Sequence, residues 1–477
     1  MTSPQAADRK RTGAWYTPMP LVERVIHHAL DGWAVRPAVV RVLDPACGDG
    51  RFLHAAAEAI EASGGVAHLT GVDVDGEALA AAARRLAGGP SDRRVDLCAD
   101  DALIRDWGGA RFDLVVGNPP FLSQMAAGTT RGRASRWGGG PYADAAVEFL
   151  SLALALAADG GGRLALVLPQ SILSSRDAGP VRAEVERRAH RCWSWWSPQR
   201  QFDASVVVCA LVFETVATET DRRNGSWADV VTSALGVPPL PVLHTMSTLG
   251  DRASLNANFR DEYYGLVPAV VEGGNGPPLV TSGLIDPGRS LWGCRPARFA
   301  GRPFAEPRVA LDRLSPAMQR WAQRKLVPKV LVASQTKVLE ALADPAGELL
   351  PGVPVTAITP TSAGAAGGTD AGSEPAVWEF AATLTSPVAT AWAWHRCAGS
   401  GLSAASLRTG PAVLADLPWP AGELSGAVAA LTAGDIDGCG QLVDHAFGVD
   451  DQALVEWWSA LRPRSGARDG TLTTVAR

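Results

Sequence analysis

Apolar residues in the first 215 positions fall into short runs separated by stretches of helical spacing. Leu21, Val22, Val25, Ile26 and Leu30 follow Thr17-Pro18, which reads as a threonine N-cap with proline at the first helical position. Residues 39–43 form an apolar run that stops at Asp44-Pro45, a strand ending in a loop, and residues 52–60 read as the helix behind it. A second strand over 69–74 again ends in acid and precedes an alanine-rich helix over 77–86. Further strands are expected at 95–98, 112–116, 163–168 and 205–213, with a helix over 145–157. Strands alternating with helices predict an α/β domain, a doubly wound parallel sheet with crossover helices.

The alternation fails after residue 215. Residues 218–227 are polar, and Gly236-Val237-Pro238-Pro239 is a hinge into a second domain. The expected division is 1–235, then an α+β domain over 236–420, then a helical tail over 421–477. Residues 359–375, rich in Gly, Ala, Ser and Thr, read as a long mobile loop. A chain of 477 residues is too long for one ordinary core, which agrees with this division.

Charge alters the picture locally rather than globally. The net charge of −5 excludes a uniformly basic nucleic-acid coat. Lysine is almost absent, yet Lys325, Lys329 and Lys337 fall within thirteen residues. Residues 286–340 hold eleven Lys/Arg against four Asp/Glu, a net of +7. That segment is either a solvated basic face or a phosphate-binding surface, with Lys325, Lys329, Lys337 and Gln335 as DNA-contact candidates. The seven cysteines are scattered with no CxxC pair, so neither a disulfide framework nor a metal site is expected. The first eleven residues are polar and end in Arg9-Lys10-Arg11. The longest apolar stretch, 149–158, is about half a membrane span, so a soluble cytoplasmic protein without a membrane partner is expected.

The chemistry concentrates at the predicted strand ends. Asp44-Pro45-Ala46-Cys47-Gly48-Asp49-Gly50 lies between a strand and a helix, where glycines let backbone approach a ligand. Asp73 ends the next strand, 23 residues after Gly50, where an acid accepts hydrogen bonds from ribose hydroxyls. Asp100, after the third strand, is placed to receive an adenine amino group. Each acid could instead cap the following helix. Asn118-Pro119-Pro120-Phe121 follows the fourth strand. It is either a strand-stopping turn or the decisive fourth element of a site, and four strand-end elements in order favour the site.

Together these segments resemble the γ-class N6-adenine DNA methyltransferases, the TaqI-like modification methylases that use S-adenosylmethionine. Gly13-Ala14-Trp15-Tyr16-Thr17-Pro18 is similar to the family's N-terminal (F/Y)TP element, and residues 44–50 to its DPACGxG loop. Asp73 and Asp100 resemble its second and third cofactor acids, and residues 118–121 its NPP(Y/F) motif. The resemblance implies a Rossmann-like methyltransferase domain over 1–235 that binds S-adenosylmethionine through Tyr16, Thr17, Asp44, Ala46, Cys47, Gly48, Gly50, Asp73 and Asp100. It implies catalysis at Asn118, Pro119, Pro120 and Phe121. Phe202, in Gln201-Phe202-Asp203-Ala204-Ser205, would stack on the flipped adenine. Residues 327–337, and Leu384-Thr385-Ser386-Pro387 further on, resemble the family's C-terminal target-recognition domain, with Thr385 in place of the usual asparagine.

The expected partners are double-stranded DNA and, as candidate protein partner, a separately encoded restriction endonuclease or defence-system subunit. The sole (D/E)xK triplet, Asp8-Arg9-Lys10, has no room for an upstream strand and acid, so no cleaving domain is expected on this chain. Two rival readings remain. One is an NPP-type methyltransferase of ribosomal RNA guanine-N2 or protein glutamine; the other is an inactive DNA-binding specificity subunit.

Overall fold

The computed structural model describes residues 16–121, 136–141, 143–199, 201, 206–217, 225–258, 260–361, 374–401, 403 and 406–462. The chain divides into two compact units, Met1–Ala234 and Leu235–Arg477.

The first unit is built on seven strands: β1 (Val39–Asp44), β2 (Val66–Asp73), β3 (Arg94–Ala99), β4 (Leu114–Gly117), β5 (Arg163–Pro169), β6 (Ala189–Trp196) and β7 (Val208–Thr215). Their order is β3-β2-β1-β4-β5-β7-β6. The first five are parallel, and β7 lies antiparallel between β5 and β6. The expected doubly wound α/β sheet is present, but it is mixed rather than all parallel. The physical reason is the link from β6 to β7. Residues 197–207 are too few for the crossover that a parallel return requires, so the chain turns back as an antiparallel pair. The sequence pattern missed β6 because it is an edge strand, only partly buried and interrupted by His190, Arg191 and Ser194.

Helices α1 (Met19–Leu30), α2 (Arg51–Ala62), α3 (Gly76–Leu86), α4 (Ala145–Leu156) and α5 (Gly179–Arg188) accompany these strands. Val22, Val25 and Ile26 of α1 and Leu53, Ala56 and Ile60 of α2 join Val40, Val42, Val167 and Ala210 of the sheet in one core. The start of α1 corrects the sequence reading. Pro18 occupies the N-cap position, its carbonyl accepts from the Leu21 and Val22 amides, and Thr17 makes no cap hydrogen bond.

Chain order sets the position of the site. From β1 the chain winds outward through β2 to β3, then returns past β1 to β4 and continues to β5. The reversal leaves a crevice between the carboxyl ends of β1 and β4, the place where doubly wound sheets take ligands. Asp44 ends β1, and Gly117-Asn118 ends β4.

The second unit carries a four-stranded antiparallel sheet of β8 (Ala253–Ala257), β9 (Lys329–Ala333), β11 (Ala341–Asp344) and β12 (Val355–Pro360), ordered β11-β9-β12-β8. A short ladder pairs β10 (Gln335–Thr336) with β13 (Leu407–Arg408). The helices Ser425–Thr432 and Ile436–Ala446 pack on the helix Glu374–Leu384, so the residues after 421 contribute to the core of this unit. Within the segment expected as a loop, Thr359 and Pro360 complete β12, while 362–373 lie outside the described residues. Among the described residues no helix is long and apolar enough to cross a membrane.

Candidate active site

The β1 turn is held in place by its own backbone and by Asp73. The Ala46 amide donates to Asp44 Oδ1 at 3.1 Å, and the Gly48 amide donates to Asp73 Oδ2 at 2.7 Å. Asp73 Oδ1 accepts from the Asp75 amide at 2.9 Å. Helix capping, the bland alternative for Asp73, is performed by Asp75 instead, which accepts from Glu77 and Ala78. One lone pair on each Asp73 oxygen thus holds the loops, and the carboxylate, which lines the cavity, keeps further acceptor capacity. Gly50 then enters α2 in the left-handed region, at φ 78°, where a Cβ would stand 3.0 Å from that of Ala82.

The turn, the ends of β1, β2 and β4, and the start of α4 line a cavity of about 400 Å³, within the ordinary range for small-molecule sites. Its walls bring together Tyr16, Thr17, Asp44, Ala46, Cys47, Gly48, Asp73, Asp100, Asn118 and Pro120 from the expected set. Gly50, Pro119 and Phe121 are not on the wall: Pro119 is buried, and Phe121 packs against the main core. Phe202 lies outside the described residues. Asp100 is engaged locally, its Oδ2 accepting from Arg105 at 3.0 Å and its Oδ1 from the Asp101 amide at 2.8 Å.

Burial shapes the electrostatics. Asp44 is 1% exposed. Loss of water raises its carboxyl to about 8; the Ala46 amide offsets part of this, and Asp73 and Asp49 add to the rise. Burial likewise pushes the Cys47 thiol up, so Cys47 is a neutral wall group rather than a nucleophile.

Three contributors were not read from the sequence. Gly117 has φ 147°, and a Cβ there would sit 2.6 Å from Asp44 Oδ1, so only glycine lets β4 end against Asp44. Arg51 donates to Asp49 at 2.9 Å and to the Thr17 carbonyl at 3.0 Å, and its guanidinium lies 5.3 Å from the Tyr16 ring centroid. Arg85 donates to both the carbonyl and the carboxylate of Asp49. This clamp ties the Tyr16-Thr17 segment to the β1 turn. Gly117 stood directly before the Asn-Pro-Pro run and could have been noticed. The arginines are separated by 34 residues and only the fold brings them together.

The residues present fit S-adenosylmethionine, a cation bearing a ribose diol. Thr17 Oγ1 is buried without a hydrogen-bond partner, Asp44 is a buried acid at the wall, and the Asp73 carboxylate can accept from hydroxyls. Among the described residues no group of three or more His, Cys, Asp or Glu side chains is placed to hold a metal ion.

The DNA-contact candidates separate. Lys329 is a correction: it is fully buried, pairs with Asp344 across β9 and β11, and donates to the Val327 carbonyl at 3.1 Å. It lies on a central strand whose five residues are all buried, so it offers no charge to a phosphate. Burial pulls its ammonium down against the attraction of Asp344. Lys325 is half-buried, its ammonium also lowered by burial, whereas Lys337 is exposed. Gln335 lies half-buried on β10.

Residues 2–188 match the family described as N-6 DNA Methylase. The modification methylase CviBIII of Paramecium bursaria Chlorella virus NC1A is 25% identical over 174 residues, 36% of this chain and 42% of the viral protein. A tRNA1(Val) (adenine(37)-N6)-methyltransferase of Citrobacter koseri is 32% identical over 98 residues, 20% of this chain and 38% of that enzyme. The chain thus spans less than half the length of these curated relatives. Among solved structures, the type I restriction-modification system methyltransferase subunit of Streptococcus thermophilus aligns at 18% identity. That alignment covers 45% of this chain and 49% of that one, with a TM-score of 0.35.

Proposed function

We propose that this chain, whose residues 2–188 match the family described as N-6 DNA Methylase, transfers a methyl group from S-adenosylmethionine to N6 of an adenine flipped out of double-stranded DNA. The observation that carries the proposal is the cavity wall. Asn118 and Pro120 share it with Thr17, Asp44, Asp73 and Asp100, which puts an amine-binding motif beside a cation- and diol-binding pocket.

S-adenosylmethionine, when bound, supplies an electrophilic sulfonium methyl. The chain has to present a nucleophile to it. The N6 lone pair of adenine is delocalised into the ring. The Asn118 side-chain oxygen, on the cavity wall, and the main-chain carbonyl of the next residue, Pro119, once the seated base reaches it, would take the two N6 hydrogens, which favours a tetrahedral nitrogen and frees the lone pair. Catalysis is then positioning and electrostatics rather than strong base chemistry. Thr17, Asp44 and Asp73 hold the donor side, and the Arg51 clamp fixes Tyr16-Thr17 over it. Extruding the base costs a few kcal/mol, which stacking on apolar walls offsets in part.

A role in restriction-modification or other phage defence, with a separately encoded nuclease, is part of this proposal. RNA adenine is the competing substrate, because one relative is named for tRNA modification. Methylation-aware long-read sequencing of a host expressing the protein distinguishes the two. N6-methyladenine at one DNA motif with the wild type, and none with Asn118→Ala, is expected. Asn118→Ala should keep cofactor affinity within a few-fold, since its role lies at the target amine. Unmodified host DNA with the wild type, or full activity in Asn118→Ala, would overturn the proposal.

A further inference from the structure

The second unit has a pocket of its own, about 580 Å³, that the catalytic reading does not use. The β10–β13 ladder forms one wall. Gln335 and Arg408 are direct cross-strand partners there, so their side chains leave the same face about 5 Å apart. Thr409 follows, anchored by its amide to the Ser334 carbonyl at 3.0 Å. Its side chain is 1% exposed, and its hydroxyl is buried without a hydrogen-bond partner on the pocket wall. The opposite wall begins just after β8. Arg260 lies 5.5 Å from the Tyr264 ring centroid, and Tyr264 remains 58% exposed.

The chemistry of this lining is selective. Two arginines and no carboxylate line the pocket, and among the described residues neither arginine has an ion-pair partner. An anion is therefore favoured. The same cavity offers an amide with donor and acceptor ends, a buried hydroxyl and an exposed aromatic face. A bare phosphate would leave the last three unused; a nucleotide uses all of them.

We propose that this pocket holds one nucleotide of the DNA substrate, with Arg260 and Arg408 on its phosphate, Tyr264 against its base and Gln335 with Thr409 on the base edge. The pocket thereby sets one position of the methylated sequence. This rests on the DNA reading of the protein and extends it to specificity. Gln335 and Arg408 are specificity and phosphate contacts respectively, both distant in sequence from the catalytic motifs.

The test uses the full chain, its duplex affinity across a range of salt, and the methylated motif read by long-read sequencing. Gln335→Ala and Thr409→Val should relax discrimination at one motif position by about tenfold. Arg260→Ala and Arg408→Ala should weaken every duplex and each lower the slope of log affinity against log salt by about one. S-adenosylmethionine affinity without DNA should not change in any of them. Arg260 and Arg408 are exposed, so their alanine variants keep the fold, and an unchanged melting profile verifies the fold of all four variants. Retention of both motif and duplex affinity in all variants overturns the pocket assignment while leaving the catalytic proposal standing. If the wild type methylates no DNA, the catalytic proposal fails. The duplex titrations still decide the pocket then: an absence of wild-type binding, or equal binding by the arginine variants, overturns it.

Discussion

Asp44 is a carboxyl that the fold deprives of water at the wall of a cavity fitted to a cation. With its titration raised to about 8, it is mostly protonated at neutral pH in the free protein. A cationic ligand favours the ionised form, so binding releases a proton below that value. Affinity for S-adenosylmethionine should therefore rise with pH from about 6 to 8, by up to about tenfold per unit for one linked proton. Calorimetric titrations in two buffers of different ionisation enthalpy will report the released proton. Asp44→Asn should bind more weakly and without that pH dependence; a wild-type affinity independent of pH over the window would sink the linkage. At this scale the sequence was legible where a residue's role follows from its own place on the chain. Asp44, Asp73 and Asn118 stand at strand ends, and strand ends are visible as the close of an apolar run. Gly117 and Arg51 were not legible in this way. The need for a glycine comes from Asp44 on a neighbouring strand, and the need for Arg51 comes from Tyr16 and Thr17.

Strands and helices explain what the residue pattern left out. Thr17-Pro18 has the form of a capping pair, yet the helix begins one residue later and the Thr17 hydroxyl is left for the cavity. The same letters serve both arrangements, and only packing of α1 onto the core selects between them. Lys329 is the sharper case. A lysine among arginines in a basic segment reads as surface, but β9 is central and buried along its whole length. Asp344 answers it from β11 and also accepts from the Glu348 and Leu349 amides at 3.0 Å. Removing the lysine leaves a buried carboxylate that has lost its counter-charge, a change that typically costs about 3–5 kcal/mol. Lys329→Ala should thus lower the unfolding midpoint of the second unit strongly, while the folded fraction keeps the salt dependence of duplex binding. Lys337→Ala, at an exposed side chain, should change stability by no more than about 0.5 kcal/mol. Denaturant titration followed by gel shifts at several salt concentrations will separate the two. A stable Lys329→Ala with a flattened salt slope would restore the surface reading.

Across the whole molecule, each unit carries a buried acid whose titration works against the fold as pH rises. In the first unit it is Asp44; in the second it is Asp444, raised to about 7 by burial, with its Oδ1 accepting from the Val388 amide at 3.0 Å. Both start from 3.8, so between about pH 4 and their raised values the native state holds protons that the unfolded chain has released. Stability then falls with rising pH, by up to about 1.4 kcal/mol per unit for each such group, and levels off above about 7 for Asp444 and about 8 for Asp44. His28 opposes this in the first unit: its imidazole is pushed down, chiefly by burial and then by His27, so its contribution grows as pH rises toward 6.5. The acids held low by partners, Glu184, Asp251 and Asp437, lose their contribution only as pH falls below their ordinary range, outside this window. Calorimetric melts of the full chain from pH 5 to 8.5 should therefore show a declining midpoint above about 6.5. Asp44→Asn should flatten the decline belonging to the first unit, and Asp444→Asn that belonging to the second, because the amide oxygen still accepts the Val388 bond. A midpoint that rises through this range in the wild type, or a slope unchanged in both variants, would show that neither acid is protonated in the native state.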